Sequence, residues 1–182
     1  MARLMKIQHR PYLVGIDPGL SGTGYALFNY VDKIRLASGC VRVRRVEGVP
    51  WVDRAANIVW QLFVKIEQAM DHTTARRRPL DAIGYLVIEF PGHWASSGRS
   101  QAATARGDLL KLAYLCGAID TAARGEGMYV SIVSPSEWKG QLTKTAVWAR
   151  LEKRVPESMP LRRTSSHEPD AIGIAAWKVG LF

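Results

Sequence analysis

The chain has 182 residues, of which 47% are hydrophobic, and 25 Lys and Arg against 16 Asp and Glu give it a net charge of +9. This length and composition exclude an intrinsically disordered chain and fit one domain over residues 1–182 with its own core. The positive charge favours a polyanionic partner such as nucleic acid, although surface charge that serves only solubility would give the same balance.

The cysteines and the N-terminal residues indicate the cellular compartment in which the protein is expected. Cys40 and Cys116 lie far apart and form no Cys-x-x-Cys pair, so the sequence predicts neither a disulfide framework nor a zinc site. Both are expected to be reduced core residues. Residues 1–10 form a short basic extension without the apolar stretch of a secretory signal, and no run of about 18 apolar residues could span a membrane. We therefore expect a soluble, cytoplasmic protein with no membrane partner.

The first motif in chain order is an apolar stretch, residues 12–26, that a single acid interrupts. The apolar and small residues before Asp17 predict a buried strand, and the glycine-rich segment that starts at Pro18 predicts a tight turn into a second strand. The stretch therefore predicts a hairpin that presents Asp17. The alternative is that Asp17 only opens an Asp-Pro-Gly turn and binds nearby backbone N–H groups.

Two strands and a helix follow this turn. The strands are predicted over about 23–30 and 34–46, and the second ends in Val41-Arg-Val-Arg-Arg-Val46, whose alternation would give the sheet a positive face. Apolar residues then recur at helical spacing from Val52 through residue 71. The connector after this helix could contact a phosphate backbone or form an ordinary solvated loop, and its basic residues are Arg76, Arg77 and Arg78.

A second apolar run, residues 82–89, also ends at a single carboxylate, Glu89. Continuous apolar strands lie in sheets that are covered on both faces, where a buried and unpaired charge is costly. Two acids at two strand ends therefore suggest one shared site, because divalent cations are the usual reason that proteins hold carboxylates together.

The segment after this strand combines aromatic and basic residues with small ones. It has no apolar period over 90–100 and contains Phe90, His93, Trp94 and Arg99. These side chains are candidates for stacking on bases or wedging between them, although Phe90 and Trp94 could equally anchor the loop in the core.

The next part of the sequence predicts a helix over about 101–124, a strand over 128–133, a short basic loop over 136–144 and a helix over about 143–155. Small residues in the first of these helices would allow close packing or a dimer contact. Lys139 and Lys144 are candidate phosphate contacts, with solvated surface lysines as the alternative.

The last helix follows a connector over 156–166 and starts within Ser165-Ser-His-Glu-Pro-Asp170. A Ser cap, a Pro in the first turn and early acids are ordinary helix-start chemistry. However, His167 and Asp170 are three residues apart, so they share a helix face and can point to one place.

Taken in this order, the motifs resemble those of the RuvC-type Holliday junction resolvases, members of the ribonuclease H-like superfamily. The resemblance spans about residues 12–178 and is carried by Gly15-Ile-Asp-Pro-Gly19 with Gly22-Thr-Gly-Tyr25, Val87-Ile-Glu89, Ala105-Arg-Gly107, Ser134-Pro-Ser-Glu-Trp-Lys139 and His167-x-x-Asp170-Ala171. It implies an α/β fold with a mixed five-stranded sheet flanked by helices on both faces.

The resemblance also implies a structure-specific endonuclease that cuts four-way (Holliday) and other branched DNA junctions in recombination, repair or the resolution of replication intermediates. The family's catalytic and metal-binding set falls on Asp17, Glu89, His167 and Asp170. The implied cofactors are two Mg²⁺ ions per site, for which Mn²⁺ substitutes. The resemblance further implies that Lys139 and Lys144 lie near the cleaved strand and that the helix with Ala105-Arg-Gly107 contributes to a homodimer.

The residue chemistry agrees with this function. Phosphodiester hydrolysis needs a water activated near neutral pH and relief of charge on the leaving oxygen, and two divalent ions supply both. We expect Asp17 to bridge the two ions, Glu89 and Asp170 each to complete one side, and His167 to bind a metal or orient the water. The basic N-terminal extension and the residues after Glu89 depart from the common bacterial pattern, which suggests a phage or viral relative.

Three other interpretations stay open. The Asp17 hairpin is also similar to the opening of actin-like and sugar-kinase ATPases, but those need two lobes and a second phosphate loop, which 182 residues hardly accommodate. A DNA-binding module without catalysis would not need three acids and a histidine. An enzyme of the same fold could instead act on flaps, forks or RNA–DNA hybrids.

Overall fold

The computed structural model describes residues 10–71, 78–90, 107–155 and 167–182, and these include five strands. In chain order the strands are β1 (Tyr12–Asp17), β2 (Thr23–Asn29), β3 (Ile34–Val41), β4 (Ile83–Glu89) and β5 (Tyr129–Val133). They form one sheet in the order β3-β2-β1-β4-β5. The sheet is mixed, because β1, β2 and β3 pair antiparallel whereas β1, β4 and β5 pair parallel.

Helices cover both faces of this sheet. They are α1 (Trp51–Asp71), α2 (Asp108–Gly125), α3 (Pro135–Trp138), α4 (Lys144–Arg154) and α5 (Glu168–Lys178), with a 3-10 turn at Pro79–Ala82 before β4. Buried side chains of α1 and α2 form one hydrophobic cluster with the sheet, and those of α3, α4 and α5 form a second. The predicted fold class, a mixed five-stranded sheet flanked by helices on both faces, is confirmed.

The central strand β1 is covered on both sides. Val14 and Ile16 are fully buried in the cluster with α1 and α2, while Leu13 lies in the cluster with α5, as the alternation of side chains along a strand requires. Gly15 faces α5, where an added Cβ would lie 2.5 Å from the carbonyl oxygen of Ala171. The missing side chain lets α5 cross close over β1, which brings the start of α5 to the carboxyl end of the strand.

Strand β3 ends earlier than the predicted range of 34–46. Its last residue, Val41, pairs with Thr23, which is the first residue of β2. Beyond that pair the partner strand offers no backbone for ladder hydrogen bonds, so residues 42–46 leave the sheet. The prediction of a positive sheet face at Val41–Val46 is therefore wrong.

A short helix, α3, occupies part of the segment that was expected to be a loop over 136–144. The backbone N–H of Ser134 donates to the Glu137 carboxylate at 2.6 Å, which forms a capping box, and Pro135 stands in the first turn. These features start a helix, so the loop prediction is wrong for residues 136–138.

Two predicted helix starts fall partly outside the described residues. Helix α2 begins at Asp108 after Gly107, which has a φ of 67°, while residues 101–106 lie outside the described ranges. Helix α5 begins at Glu168 with His167 as its N-cap residue, and the serines expected to cap it lie outside those ranges.

The two cysteines differ in burial. Cys116 is buried as predicted, but Cys40 on β3 is half-buried, so the prediction of a core residue is wrong there; both thiols are free. In the part of the chain that the structure describes, no helix combines the length and hydropathy needed to cross a membrane.

Candidate active site

The carboxyl ends of β1 and β4 lie side by side. The two strands are parallel neighbours with Ile16 opposite Ile88, so the next residue of each, Asp17 and Glu89, lies at the same edge of the sheet. The fold thus brings the two acids that end the apolar runs to one place.

The start of α5 adds a histidine to this edge. His167 Nδ1 lies 2.7 Å from Asp17 Oδ2. Because an ionised carboxylate only accepts hydrogen bonds, Nδ1–H is the donor and Nε2 is left for a second partner. The hydrogen bond to Asp17 raises the pKa of His167, and burial of the ring opposes this effect.

Two glycines make room for the histidine. A Cβ on Gly19 would lie 2.5 Å from His167 Cε1, and a Cβ on Gly24 would overlap the His167 carbonyl group. The glycines after Asp17 therefore permit the close approach of the hairpin and α5, in addition to their role in the turn.

Glu89 lies in a poorly solvated environment. Burial, and next the negative charge of Asp17, raise the pKa of Glu89 to about 7. Two neighbours favour its ionised form: Lys139 Nζ lies 3.9 Å from Oε2, and Trp138 Nε1 donates a hydrogen bond to the same oxygen at 2.5 Å.

Asp170 belongs to the same electrostatic cluster. Burial, followed by the charge of Asp17, raises its pKa, whereas Lys139, Lys144 and His167 lower it. Asp17 therefore acts on both of the other carboxylates. Like charges in a poorly solvated place are unfavourable unless cations balance them.

The side chains at this edge fit a divalent cation in their chemistry, although they are not arranged as a preformed metal site. Within the described ranges, no three His, Cys, Asp or Glu side chains stand together as a ready-made metal site. Asp17 is bonded to His167 and Glu89 to Trp138, so these donors have protein partners. Three mutually repelling carboxylates and one imidazole nevertheless match the ligand chemistry of a hard divalent cation. The metal assignment stays a prediction.

Two of the predicted phosphate contacts lie at this site. Lys139 is beside Glu89, and Lys144, the first residue of α4, affects the pKa values of Asp170 and His167. Phe90 directly follows Glu89 and is 39% exposed.

One further predicted DNA contact, Arg78, lies away from the site. Arg78 precedes β4 at the end opposite to Glu89 and pairs with Glu126 at 3.0 Å. Five further candidates lie outside the described residues, namely Arg76, Arg77, His93, Trp94 and Arg99.

A buried polar cluster beside the site was missed by sequence reasoning. Arg35 on β3 and Glu168 on α5 are only 2% and 7% exposed. The Ser38 hydroxyl lies between them, since it donates to Glu168 Oε1 at 2.8 Å and accepts from Arg35 Nη1 at 3.4 Å. The cluster ties β3 to the residue that follows His167. In the sequence, Glu168 is an acid in the first turn of a helix. Such acids are common at helix starts, so the sequence did not indicate a buried cluster.

A groove opens next to His167. Its volume is about 690 Å³, and its lining includes the β1–β2 turn from Pro18 to Ser21 and the start of α1. The charged residues in the lining are the basic Arg45, Arg54 and Lys111 and the acid Asp108, which pairs with Lys111 at 3.4 Å, so basic residues are in excess. The groove therefore gives a positively charged approach to the Asp17–His167 pair.

The strand order, with helices on both faces, defines a ribonuclease H-like fold. The chain is similar to the structure of Thermus thermophilus RuvC at 17% sequence identity and a TM-score of 0.62, over 91% of this chain and 92% of that one. It is also similar to T. thermophilus RuvC in complex with a Holliday junction substrate, at 16% identity and a TM-score of 0.57, over 91% and 90% of the two chains. At these identities the likeness shows the fold. No protein-family model and no curated protein matches the sequence.

Proposed function

We propose that the chain is a divalent-metal-dependent endonuclease that hydrolyses phosphodiester bonds in branched DNA, four-way junctions in particular. The observation that carries this proposal is the gathering of Asp17, Glu89, Asp170 and His167 at one sheet edge, where burial, and next the charge of Asp17, raise the pKa of the other two acids. Carboxylates that repel one another in a poorly solvated place are typical of sites that bind divalent cations.

The residues divide into ligands and phosphate contacts. Asp17, Glu89, Asp170 and His167 would hold Mg²⁺, or Mn²⁺ in its place. Two such ions supply an activated water near neutral pH and neutralise charge on the leaving oxygen. Lys139 and Lys144 would hold the phosphate against the carboxylates, since both already act on the charge of Asp170.

The surface around the site supports a nucleic-acid substrate. The net charge of +9 and the groove with Arg45, Arg54 and Lys111 favour a phosphate backbone, and DNA binding should weaken steeply with salt. Phe90, which follows Glu89 and is 39% exposed, would stack on a base of the bound strand.

Branched DNA is favoured as the substrate by the similarity in shape to the RuvC structure solved with a Holliday junction.

We further propose a homodimer, which would hold two sites at a fixed spacing. Helix α2 offers a surface for it, since Leu110 is 78% exposed, Tyr114 is 50% exposed, and Gly117 has nothing within 4 Å of an added Cβ. Such an enzyme would act in recombination, repair or the resolution of replication intermediates.

The decisive experiment is cleavage of an end-labelled four-way junction with and without Mg²⁺. Linear duplex, flap, fork and RNA–DNA hybrid substrates are compared in the same assay. Asp17→Asn should reduce cleavage by at least about a hundredfold, because the central carboxylate is lost, while junction binding in a gel-shift assay is retained. Wild-type protein that binds the junction but never cuts it would favour a non-catalytic module. Faster cleavage of another substrate would reassign the specificity.

A further inference from the structure

We propose that Trp138 is a positioning residue that orients the Glu89 carboxylate and fixes its distance from α5. This inference rests on the proposed function, since it gives Trp138 a role in the same site.

The contact is direct and directional. Trp138 Nε1 lies 2.5 Å from Glu89 Oε2, and an indole N–H can only donate a hydrogen bond, so the carboxylate accepts it. The Trp138 side chain is 2% exposed, so water does not compete for this donor. One oxygen of Glu89 is therefore held by protein, and the other keeps a defined direction.

The indole ring is itself held from two sides. The capping box of Ser134 and Glu137 starts the short helix that ends at Trp138. On the other side, the ring packs against Gly173 of α5, where an added Cβ would lie 2.5 Å from Trp138 Cζ3. The Phe182 ring centroid lies 5.7 Å from that of Trp138. The position of the indole N–H is thus set by packing.

The same packing connects α5 with β4. Gly173 follows Asp170 by three residues on α5, and Trp138 donates to Glu89 on β4. One rigid ring therefore spans the elements that carry two of the proposed ligands. Lys139, the next residue, lies 4.8 Å from the ring centroid and 3.9 Å from Glu89, so α3 also sets the place of a phosphate contact.

Loss of the N–H should free the carboxylate to rotate while the ring still fills its space. Partners that orient a metal ligand typically account for about 10- to 100-fold in metal affinity or activity. A role in packing alone would change the stability of the fold and leave the metal dependence unchanged.

The test compares Trp138→Phe with Trp177→Phe, a control on α5 whose ring has Lys178 as its cationic neighbour. Calorimetry with Mn²⁺ and no DNA should show about tenfold weaker binding for Trp138→Phe. In cleavage assays its half-saturating Mg²⁺ concentration should rise by a similar factor, while KM for DNA changes by less than about twofold. Trp177→Phe should match the wild type. Unchanged Mn²⁺ and Mg²⁺ dependence in folded Trp138→Phe would overturn the proposal.

A second measurement applies even where Trp138→Phe fails to fold. In ¹⁵N-labelled protein at a pH well above the Glu89 pKa of about 7, Glu89→Gln replaces a charged acceptor by a neutral one. The Trp138 indole N–H resonance should then move upfield while the other five indole resonances stay in place. An unmoved resonance would overturn the proposal. Wild-type protein that cuts no DNA would refute the proposed nuclease, while the indole shift and the Mn²⁺ isotherms would still decide the role of Trp138.

Discussion

His167 joins the two parts of the candidate site at the scale of single residues. Its Nδ1 contacts Asp17 at 2.7 Å, and its backbone forms the N-cap position of α5. Nε2 is left for a metal or a water, so the imidazole both orients Asp17 and offers one donor. A residue with this double contact should matter for rate without being the central ligand.

His167→Ala should lower kcat/KM for junction cleavage by about 10- to 100-fold, a smaller loss than for Asp17→Asn. The reason is that Asp17 loses an orienting hydrogen bond but keeps its charge. Initial rates at saturating Mg²⁺ measure the effect, with a melting curve to show that the variant is folded. A rate equal to that of the wild type would remove His167 from the site.

Glu168 contributes to stability through the buried polar cluster. Arg35 is 2% exposed, so its charge depends on Glu168 and Ser38 for compensation. Glu168→Ala should destabilise the fold by about 3 kcal/mol, because it leaves a buried charge without its acid. Urea denaturation measures this loss.

Two variants control this prediction. Glu47→Ala, at an exposed turn, should change the stability by less than about 0.5 kcal/mol. Arg35→Met added to Glu168→Ala should recover part of the lost stability, because an apolar side chain needs no partner there. If Glu168→Ala were as stable as Glu47→Ala, the cluster would have no energetic role.

At the scale of elements, the approach of the β1–β2 hairpin to α5 builds the site. Gly19→Ala would place a Cβ that overlaps the Gly22 carbonyl oxygen and lies 2.5 Å from the His167 ring, so the turn and the imidazole must shift and the contact with Asp17 is disturbed. Cleavage should fall by about tenfold or more, since displacements of about 1 Å in an active site are costly. Parallel cleavage and melting assays measure this effect.

Gly125→Ala is the matched control for this substitution. Gly125 is exposed in the last turn of α2 with nothing within 4 Å of an added Cβ, so alanine there should stabilise the helix by up to about 1 kcal/mol and leave cleavage unchanged. Equal activity of the two variants would show that Gly19 does not set the position of His167.

Elements whose signal is local could be predicted from the sequence. The runs that end at Asp17 and Glu89 are continuous apolar strands, and the parallel pairing of β1 with β4 brings those ends together. Strand β3 ends at Val41 because its partner strand β2 begins at Thr23. The alternating pattern of residues 41–46 contains no information about where β2 begins. Pattern alone therefore extended the strand by five residues, 42–46.

The contacts around the acids could not be predicted in the same way. Trp138 and Glu89 are 49 residues apart in sequence, and Ser38 and Glu168 are 130 apart. Trp138 belongs to the motif Ser134-Pro-Ser-Glu-Trp-Lys139, but nothing in that motif indicates that its indole N–H contacts Glu89. The packing of α3 and α5 on the sheet decides which hydrogen-bond donor contacts which acid, and this packing cannot be predicted from local sequence patterns.

At the scale of the whole molecule, a protein of net charge +9 keeps a cluster of acids at one edge of its sheet. The pKa values of Glu89, Asp170 and His167 are all raised in the folded state. The folded chain therefore holds more protons at these groups than the unfolded chain does, and its stability without metal should fall as pH rises. For Glu89 the window runs from 4.5, its ordinary pKa, to about 7.

Mg²⁺ should reverse this fall, because a cation that binds the ionised acids stabilises only the folded state and competes with protons. We expect the melting temperature without Mg²⁺ to drop between pH 5 and pH 8, and 10 mM Mg²⁺ to raise it by several degrees at pH 8 and hardly at pH 5 (on the order of 2–4 °C per kcal/mol). Asp17→Asn should show a flatter pH profile and lose the Mg²⁺ effect, since after burial the charge of Asp17 is the next cause that raises the pKa of both Glu89 and Asp170. Scanning calorimetry of both proteins decides the matter. A melting temperature that rises with pH, or the same Mg²⁺ effect at both pH values, would contradict a metal site built on these acids.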